Sequence, residues 1–307
     1  MQPVVIDRGD VGLRVDLVLL RHLRHVPGVT RNRLQRLIAD GAVEINGRVI
    51  TRSSMRLSLA DTLTVALPAR PPRVKPAAES LPIDVVYEDD SLLIVNKPAG
   101  QVAHPAFRNT SGTLLNALLA HAGGTWQPAL VSRLDKDTSG LLLVAKGGAV
   151  QAALQKIGDR NGIEKDYLAV VFGKPPGKGT IDLALDRDPW DRRRVTVRDR
   201  GGARSVTKFQ RMRVIPSDNG TFVSLVKCRL VTGRTHQIRV HLLAKGWPIV
   251  GDPIYKGHSP ARPTLGRQAL HAWRLAFTHP VTAARIDVTA PLPADIEQLL
   301  IEAGHIE

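Results

Sequence analysis

The stretch VSRLDKDTSG, residues 131–140, runs straight into the apolar run LLLVA at 141–145. A short apolar run of this kind reads as a buried strand, which puts the ten residues before it at the strand's entrance. Asp135, Asp137, Thr138 and Ser139 are turn formers, since their side chains can satisfy free backbone groups. Arg133 and Asp135 are not required by a turn. Two residues apart in an extended segment, they point to the same side. Read alone, Asp135 is a turn cap. Read with Arg133 before it and a fixed strand behind it, it is more than a turn cap, a carboxylate presented at a strand mouth.

A second polar element lies far downstream, in LVTGRTHQIRVHLLAKGWPIVGDPIY at 230–255. Gly233 punctuates a turn, and HQIRVHLLAKG reads as a helix ending at Gly246. Gln237, Arg239, His241 and Lys245 on that helix all require partners. His236 and His241 are five apart, not at the i, i+4 spacing that sets two metal ligands on one face, and no cysteine or acidic cluster completes a site. No metal is expected. Tyr167, in EKDYLAVV, falls on a strand of otherwise apolar residues, where a tyrosine is usually a core residue with its hydroxyl satisfied. GKPPGKGT at 173–180 has too few residues between its glycines, and no Lys followed by Ser or Thr, to be a phosphate loop. No cofactor is expected.

The elements that must position these groups are legible in outline. Leu13, Leu17 and Leu20 fall at helical spacing. Thr30 is placed to cap a helix over RNRLQRLIAD, with Gly41 just past its end. Leu34, Leu37 and Ile38 share one face of that helix, and Arg31, Arg33 and Arg36 lie on or near the other, a face suited to phosphate. VEINGRVI gives two short strands about Asn46-Gly47, a strong hairpin signal. LADTLTVAL adds a strand. PARPPRVKPAAESLP, at 68–82, reads as a linker. From 83 to 307 the chain alternates β-rich runs with short helices at TLLNALLAH, AVQAALQKIG and HQIRVHLLAKG. That pattern implies an α+β fold, a mainly antiparallel sheet with flanking helices, behind a small N-terminal α/β domain at 1–67.

The chain has 307 residues and a formal charge of +15, from 43 Lys plus Arg against 28 Asp plus Glu. Such an excess favours a polyanionic partner. The run Arg192, Arg193, Arg194 adds a further basic site. Cys228 is the only cysteine, so no intrachain disulfide can form, which fits a reducing cytosol. No stretch approaches the roughly 20 apolar residues of a membrane span, and the first residues lack the basic-then-apolar order of a secretory signal. A cytoplasmic protein, monomeric for want of a large apolar face, is expected.

Two resemblances sharpen this. GLRVDLVLLRHL with TRNRLQRLIADGAVEINGRVI resembles the ribosomal protein S4-like RNA-binding domain. VSRLDKDTSGLLLVAK, the Lys165-Asp166-Tyr167 triplet and LVTGRTHQIRVHLLAKGWPIVGDPIY, in that order, resemble the three motifs of the RluA-type pseudouridine synthases. IVNKPAGQVAHP, GTLLNALL and RQALHAWRLAFTHP fit the same family. DVVYEDDSLLIVNKP, VGDPIY and RQALHA are most similar to its RluD-type branch, which acts on a large-subunit ribosomal RNA hairpin. The chain departs from the family pattern at Ser132, where a histidine is usual, and GGARSVT follows its pattern loosely while keeping Thr207.

The resemblance implies an RNA pseudouridine synthase, an isomerase without cofactor, with domains at 1–67 and 83–307. It implies Asp135 as the reacting carboxylate, Tyr167 against the flipped uracil and Arg239 paired with Asp135. It implies RNA contacts from Arg133, Lys165, Arg31, Arg33, Arg36, Arg192, Arg193 and Arg194. The expected partner is ribosomal RNA, free or within a pre-ribosomal particle. A tRNA substrate, and an inactive RNA-binding assembly factor, stand as alternatives.

Overall fold

A strand can be apolar at every position only if both its faces are covered, and LLLVA at 141–145 sets that condition for the fold. The computed structural model describes residues 2–26, 29–67, 76–105, 109–191, 193–216, 222–257 and 264–304, in two units, Met1–Lys75 and Pro76–Glu307.

The first unit runs β1 (Gln2–Val4), α1 (Val15–His22), α2 (Arg31–Ala39), β2 (Val43–Ile45), β3 (Arg48–Val49) and β4 (Leu63–Val65), with sheet order β1-β4-β2-β3. Thr30 caps α2 by accepting from the Arg33 amide at 3.3 Å. The β2–β3 turn places Asn46 and Gly47 at φ 53° and 72°, the left-handed pair that a two-residue hairpin needs. The face of α1 differs from the leucine spacing: Val15, Val18 and Leu19 are buried, while Leu13 and Leu17 are exposed. The buried Asp16 accounts for part of that rotation, since it must face the Arg14, Arg31 and Gln35 side chains that bond it at 2.9, 3.1 and 2.7 Å.

The second unit runs β5 (Val85–Glu88), β6 (Leu92–Lys97), α3 (Leu114–Ala122), β7 (Pro128–Leu130), β8 (Ser139–Lys146), α4 (Gly148–Asp159), β9 (Ile163–Phe172), β10 (Lys178–Asp182), β11 (Leu185–Arg187) and β12 (Val195–Val197). It continues through β13 (Val206–Pro216), β14 (Phe222–Leu230), α5 (Gln237–Ala244), β15 (Leu270–Thr278), β16 (Arg285–Thr289) and α6 (Ala294–Gly304). The main sheet has the order β10-β13-β14-β9-β15-β8-β6-β5, with β16 on β15 and β7 on β8. Its pairings are antiparallel except β15 with β8, a crossover the strand pattern did not announce.

β8 lies between β15 and β6. Leu142 and Val144 pack into one core with Leu114, Leu118, Ile238, Leu242, Ile296 and Leu299, which covers that face with α3, α5 and α6. Leu141, Leu143 and Ala145 pack into a second core with Leu154 of α4 and Phe277. Both faces are therefore closed. Gly140, at φ 110°, begins the apolar run; a Cβ there would collide with the Ala272 backbone, its partner on β15.

The expected linker at 68–82 needs correction in its second half. Residues 68–75 lie outside the described residues. Ala77 and Glu79, however, bond the buried Asn116 of α3: its side-chain amide donates to the Ala77 carbonyl at 2.7 Å, and its backbone carbonyl accepts from the Glu79 amide at 3.0 Å. A buried amide requires such partners, so the chain is docked there rather than free.

Candidate active site

Residues 132–138 enter β8 as a loop in which Leu134 is buried in the core while Arg133 is exposed and Asp135 half-exposed. The alternation turns Arg133 and Asp135 to one side, into a cleft of about 660 Å3 that Lys165, Tyr167, His236 and Arg239 also line. The three separated stretches of sequence meet here because β9 lies near the centre of the sheet and α5 shares one hydrophobic core with it.

Arg239 is the hub. It is almost wholly buried, and its Nη1 donates to Asp135 Oδ2 at 2.9 Å. Its Nε and Nη2 grip Asp252 in a bidentate pair at 2.7 and 2.8 Å. The ring of Tyr255 lies 5.0 Å from its guanidinium carbon. Burial opposes its charge, but the bond to Asp252 and the fields of Asp252 and Asp135 hold its pKa above the ordinary value. Asp252 also accepts the Ile254 and Tyr255 amides, each at 2.9 Å. Burial would raise its pKa; Arg239 and those amides hold it below the usual carboxylate range.

Asp135 is held differently. Among the described residues both its side-chain contacts fall on Oδ2: Arg239 at 2.9 Å and His236 Nε2 at 3.7 Å. Oδ1 is left to the cleft. The loop carrying Asp135 is pinned from below at each following residue. Lys97, 1% exposed, donates to the Lys136 carbonyl at 3.0 Å and to the Pro98 and Gln101 carbonyls at 2.7 and 2.9 Å. Arg267 donates to the Asp137 carbonyl at 3.2 Å, Gln268 to Thr138 Oγ1 at 3.1 Å, and Ser139 Oγ meets His271 Nδ1 at 2.9 Å. Burial pulls the Lys97 ammonium down to about 8 against the fields of Asp137 and Asp135, with Arg267 adding to the lowering. Burial also pulls His271 down to about 4, so it bonds as a neutral ring.

Tyr167 and Lys165 reach the cleft from β9. Neither makes a polar side-chain bond among the described residues, so Tyr167 is not the satisfied core tyrosine of the bland reading. Burial, then the Asp135 charge, pushes its phenol well above the ordinary value. Burial lowers the Lys165 ammonium. Ser132 lines the same wall beside Lys165.

Three of the four helix polar groups, Gln237, Arg239 and His241, have protein partners, and Lys245 is exposed. Gln237 donates to the Val206 carbonyl and to Thr207 Oγ1 at 3.0 and 2.9 Å, and His241 Nδ1 meets Thr207 Oγ1 at 2.9 Å. His241 thus braces α5 against β13, and His236 meets the Tyr255 hydroxyl at 2.9 Å. Among the described residues Asp7, Asp10 and His22 alone converge closely enough to hold a cation, and Arg21 already pairs with both acids.

The expected RNA contacts divide. Arg133 and Arg36 are exposed. Arg31 is tied to Asp16 at 3.1 Å, so its charge is partly used, and Arg33 is half-buried. Arg192 lies outside the described residues. Arg193 pairs with Asp191 at 2.9 Å, and Arg194 lies over the Tyr255 ring at 5.8 Å. Sequence reasoning gave no role to Lys97, Asp252, Tyr255, Arg267 or Gln268. The signal available was a lysine buried inside the apolar run LLIVNK and an aspartate after Gly251 in VGDPIY.

Comparison with known proteins converges on one family. Residues 91–244 match the RNA pseudouridylate synthase family, and residues 13–63 match the S4 domain. The ribosomal large subunit pseudouridine synthase D of Zymomonas mobilis is 38% identical over 305 residues, covering 94% of this chain and 93% of its own. An RNA pseudouridine synthase of Synechocystis is 38% identical over 302 residues, covering 95% and 90%. The human RNA pseudouridylate synthase domain containing 1 structure superposes with a TM-score of 0.56 at 26% identity, over 75% of this chain and 97% of its own. A cleft built from three separated motifs, and kinship along nearly the whole chain, lead to one conclusion: this chain belongs to the RNA pseudouridylate synthase family, isomerases that act on RNA, and carries an S4 domain.

Proposed function

We propose that the chain converts specific uridines of large-subunit ribosomal RNA to pseudouridine, with Asp135 as the reacting carboxylate. The observation that carries the chemistry is the asymmetry of Asp135: one oxygen is fixed by Arg239 and the other opens to the cleft. The relatives of Zymomonas mobilis, Neisseria meningitidis and Nitrosomonas europaea named for the large ribosomal subunit support the substrate.

In the reaction the N1–C1′ bond of uridine breaks, the uracil turns, C5 bonds to C1′, and the C5 proton leaves. Asp135 either attacks C1′ or takes a ribose proton so that a glycal forms; both routes use the free oxygen. Uridine in a stem is reached by flipping. Arg133, exposed two residues before Asp135, fills the vacated stack, since a guanidinium both stacks and binds phosphate. Tyr167 lies against the extruded ring. Burial first and the Asp135 charge second keep Tyr167 a phenol, so it assists loss of the C5 proton as a hydrogen-bonding hydroxyl rather than as a phenolate. Lys165 offers the flipped nucleotide an ammonium that has no polar partner among the described residues.

Residues 1–67, Arg36 among them, and Arg194 supply phosphate contacts, with Arg193 and Arg31 each partly engaged by an aspartate, so affinity falls with salt. Arg31 and Arg33 contribute less than their exposure-free positions in the sequence suggested. The enzyme acts as a monomer in the cytosol, on free RNA or on a pre-ribosomal particle. Among the described residues no helix is long and apolar enough to cross a membrane.

The test is tritium release from C5-labelled ribosomal RNA, with wild type and Asp135→Asn. Release by wild type alone supports the reading. Normal release by Asp135→Asn ends it. Release from tRNA but from neither ribosomal RNA nor ribosomal particles would move the substrate to tRNA.

A further inference from the structure

His236 does not belong to the expected set of site residues, yet its ring points at Asp135. It precedes α5 in a left-handed conformation, φ 55°, which a histidine adopts only at a cost. That backbone carries the ring to a position where Nδ1 is 2.9 Å from the Tyr255 hydroxyl and Nε2 is 3.7 Å from Asp135 Oδ2.

The hydrogen-bond inventory determines the tautomer. The Tyr255 oxygen accepts the Val195 amide proton at 2.8 Å. Its own proton therefore needs an acceptor, and His236 Nδ1 is the acceptor in contact. A lone pair on Nδ1 places the imidazole proton on Nε2, facing Asp135. The other tautomer would leave a buried tyrosine proton without an acceptor and turn an imidazole lone pair toward a carboxylate oxygen, so it is penalised twice.

From this we infer that His236 is a positioning residue for Asp135: Tyr255 holds it as the Nε2–H tautomer, and with Arg239 it secures Oδ2 so that Oδ1 remains for the ribose. The inference rests on Asp135 as the reacting carboxylate. The groups that face His236 are Asp135 and Asp252, which favour its cation, and Arg239 and Arg133, which oppose it. Burial, with the two arginines, outweighs the two acids and lowers its pKa, so the ring is neutral at neutral pH. A neutral donor orients a carboxylate without adding a second full charge that would blunt its reactivity. The 3.7 Å separation is a loose contact that closes as the RNA fills the cleft. Val195 extends the chain of bonds to β12, beside Arg194.

The experiment is nitrogen NMR of the wild-type protein labelled in histidine, with His236→Gln to assign the signal, alongside tritium release by variants. The expected spectrum at pH 7.5 shows His236 protonated on Nε2 alone, and Tyr255→Phe mixes the two tautomers. A spectrum with the proton on Nδ1 overturns the inference whatever the kinetics. In turnover, His236→Ala is expected to lose about tenfold or more in kcat with KM for RNA little changed, as for one lost orienting bond. His236→Gln, whose amide nitrogen reaches the Nε2 position, restores part of it, and Tyr255→Phe loses less than His236→Ala. Full activity of a folded His236→Ala overturns the inference. Turnover by Asp135→Asn would instead overturn the reading on which it rests, so the two failures are distinct.

Discussion

Strand β9 separates two sets of ionisable groups that obey opposite rules. On one side Lys165 and Tyr167 face the cleft with no polar partner among the described residues. On the other, Glu164 and Asp166 are saturated. Arg229 grips Asp166 at 2.6 and 2.7 Å, Arg274 adds a bond at 3.3 Å, and Arg274 and Arg285 hold Glu164 at 3.0 and 2.7 Å. Arg274 also pairs with Asp287 of β16. The same contrast exists on Arg239, where buried Asp252 has two guanidinium and two amide donors while Asp135 has one bonded oxygen. Saturated charge is structure; a charge with one side left open can react. Burial alone does not separate them, since the side chains of saturated Glu164 and open Asp135 are similarly exposed, 31% and 27%.

Substitutions on the two sides should therefore fail in different ways. The largest effect is expected from Asp135→Asn, a loss of turnover of at least about 1000-fold with RNA affinity retained, measured by tritium release and by filter binding. Asp166→Asn should do the reverse. It removes one of the partners of two arginines that Glu164 and Asp287 still hold, and is expected to cost about 2 kcal/mol of stability, read from denaturant midpoints, while the folded fraction turns over normally. A large kcat loss in a stable Asp166→Asn protein would erase the distinction. Tyr167→Phe is expected to reduce kcat by about 100-fold with little change in melting temperature, because its hydroxyl has no bonded partner among the described residues.

A pH profile sharpens the comparison further. Lys97 has its pKa lowered to about 8 from 10.5, and its ammonium uses three protons on three carbonyls. Above pH 8 the neutral amine has one donor too few, the Lys136 carbonyl is no longer assured of its bond, and kcat should fall as pH rises. Stability has the opposite sign. Between about pH 8 and 10.5 the unfolded chain binds more protons at this group than the folded one, so its penalty on folding shrinks as pH rises. Lys97→Met should lower kcat throughout and remove that alkaline limb; an unchanged limb would detach Lys97 from the loop. The smallest effect is expected from Arg133→Ala, a weakening of RNA binding by about tenfold with a salt slope shallower by about one.

How much of this was legible beforehand follows from what each residue needs. Thr30, the Asn46-Gly47 turn and the buried strand over LLLVA are local matters of capping, φ and burial, and the chain determines them by itself. The direction of Arg133 and Asp135 is also local, because alternation along an extended segment has period two. The spacing of Leu13, Leu17 and Leu20 marks a helix but not its buried face, because Asp16 and its partners set the rotation of α1, and a hydrogen-bond partner nineteen residues away leaves no periodic trace. The docking of residues 77 and 79 on Asn116 is nonlocal in the same way.

The sequence by itself determined the α+β class, the basic character, the elements and the three motifs that mark the family. Tertiary structure alone decided which charges are saturated and which stay open, since that depends on strands and loops 104 residues apart, as Asp135 and Arg239 are. It decided that Lys97 lies beneath the loop carrying Asp135 and that Arg31 is partly engaged by Asp16. It also decided that His236 faces Asp135. The physical reason is common to all of these: residue types set what a side chain can donate or accept, but only packing brings a partner within 3 Å and removes the water that would otherwise satisfy it.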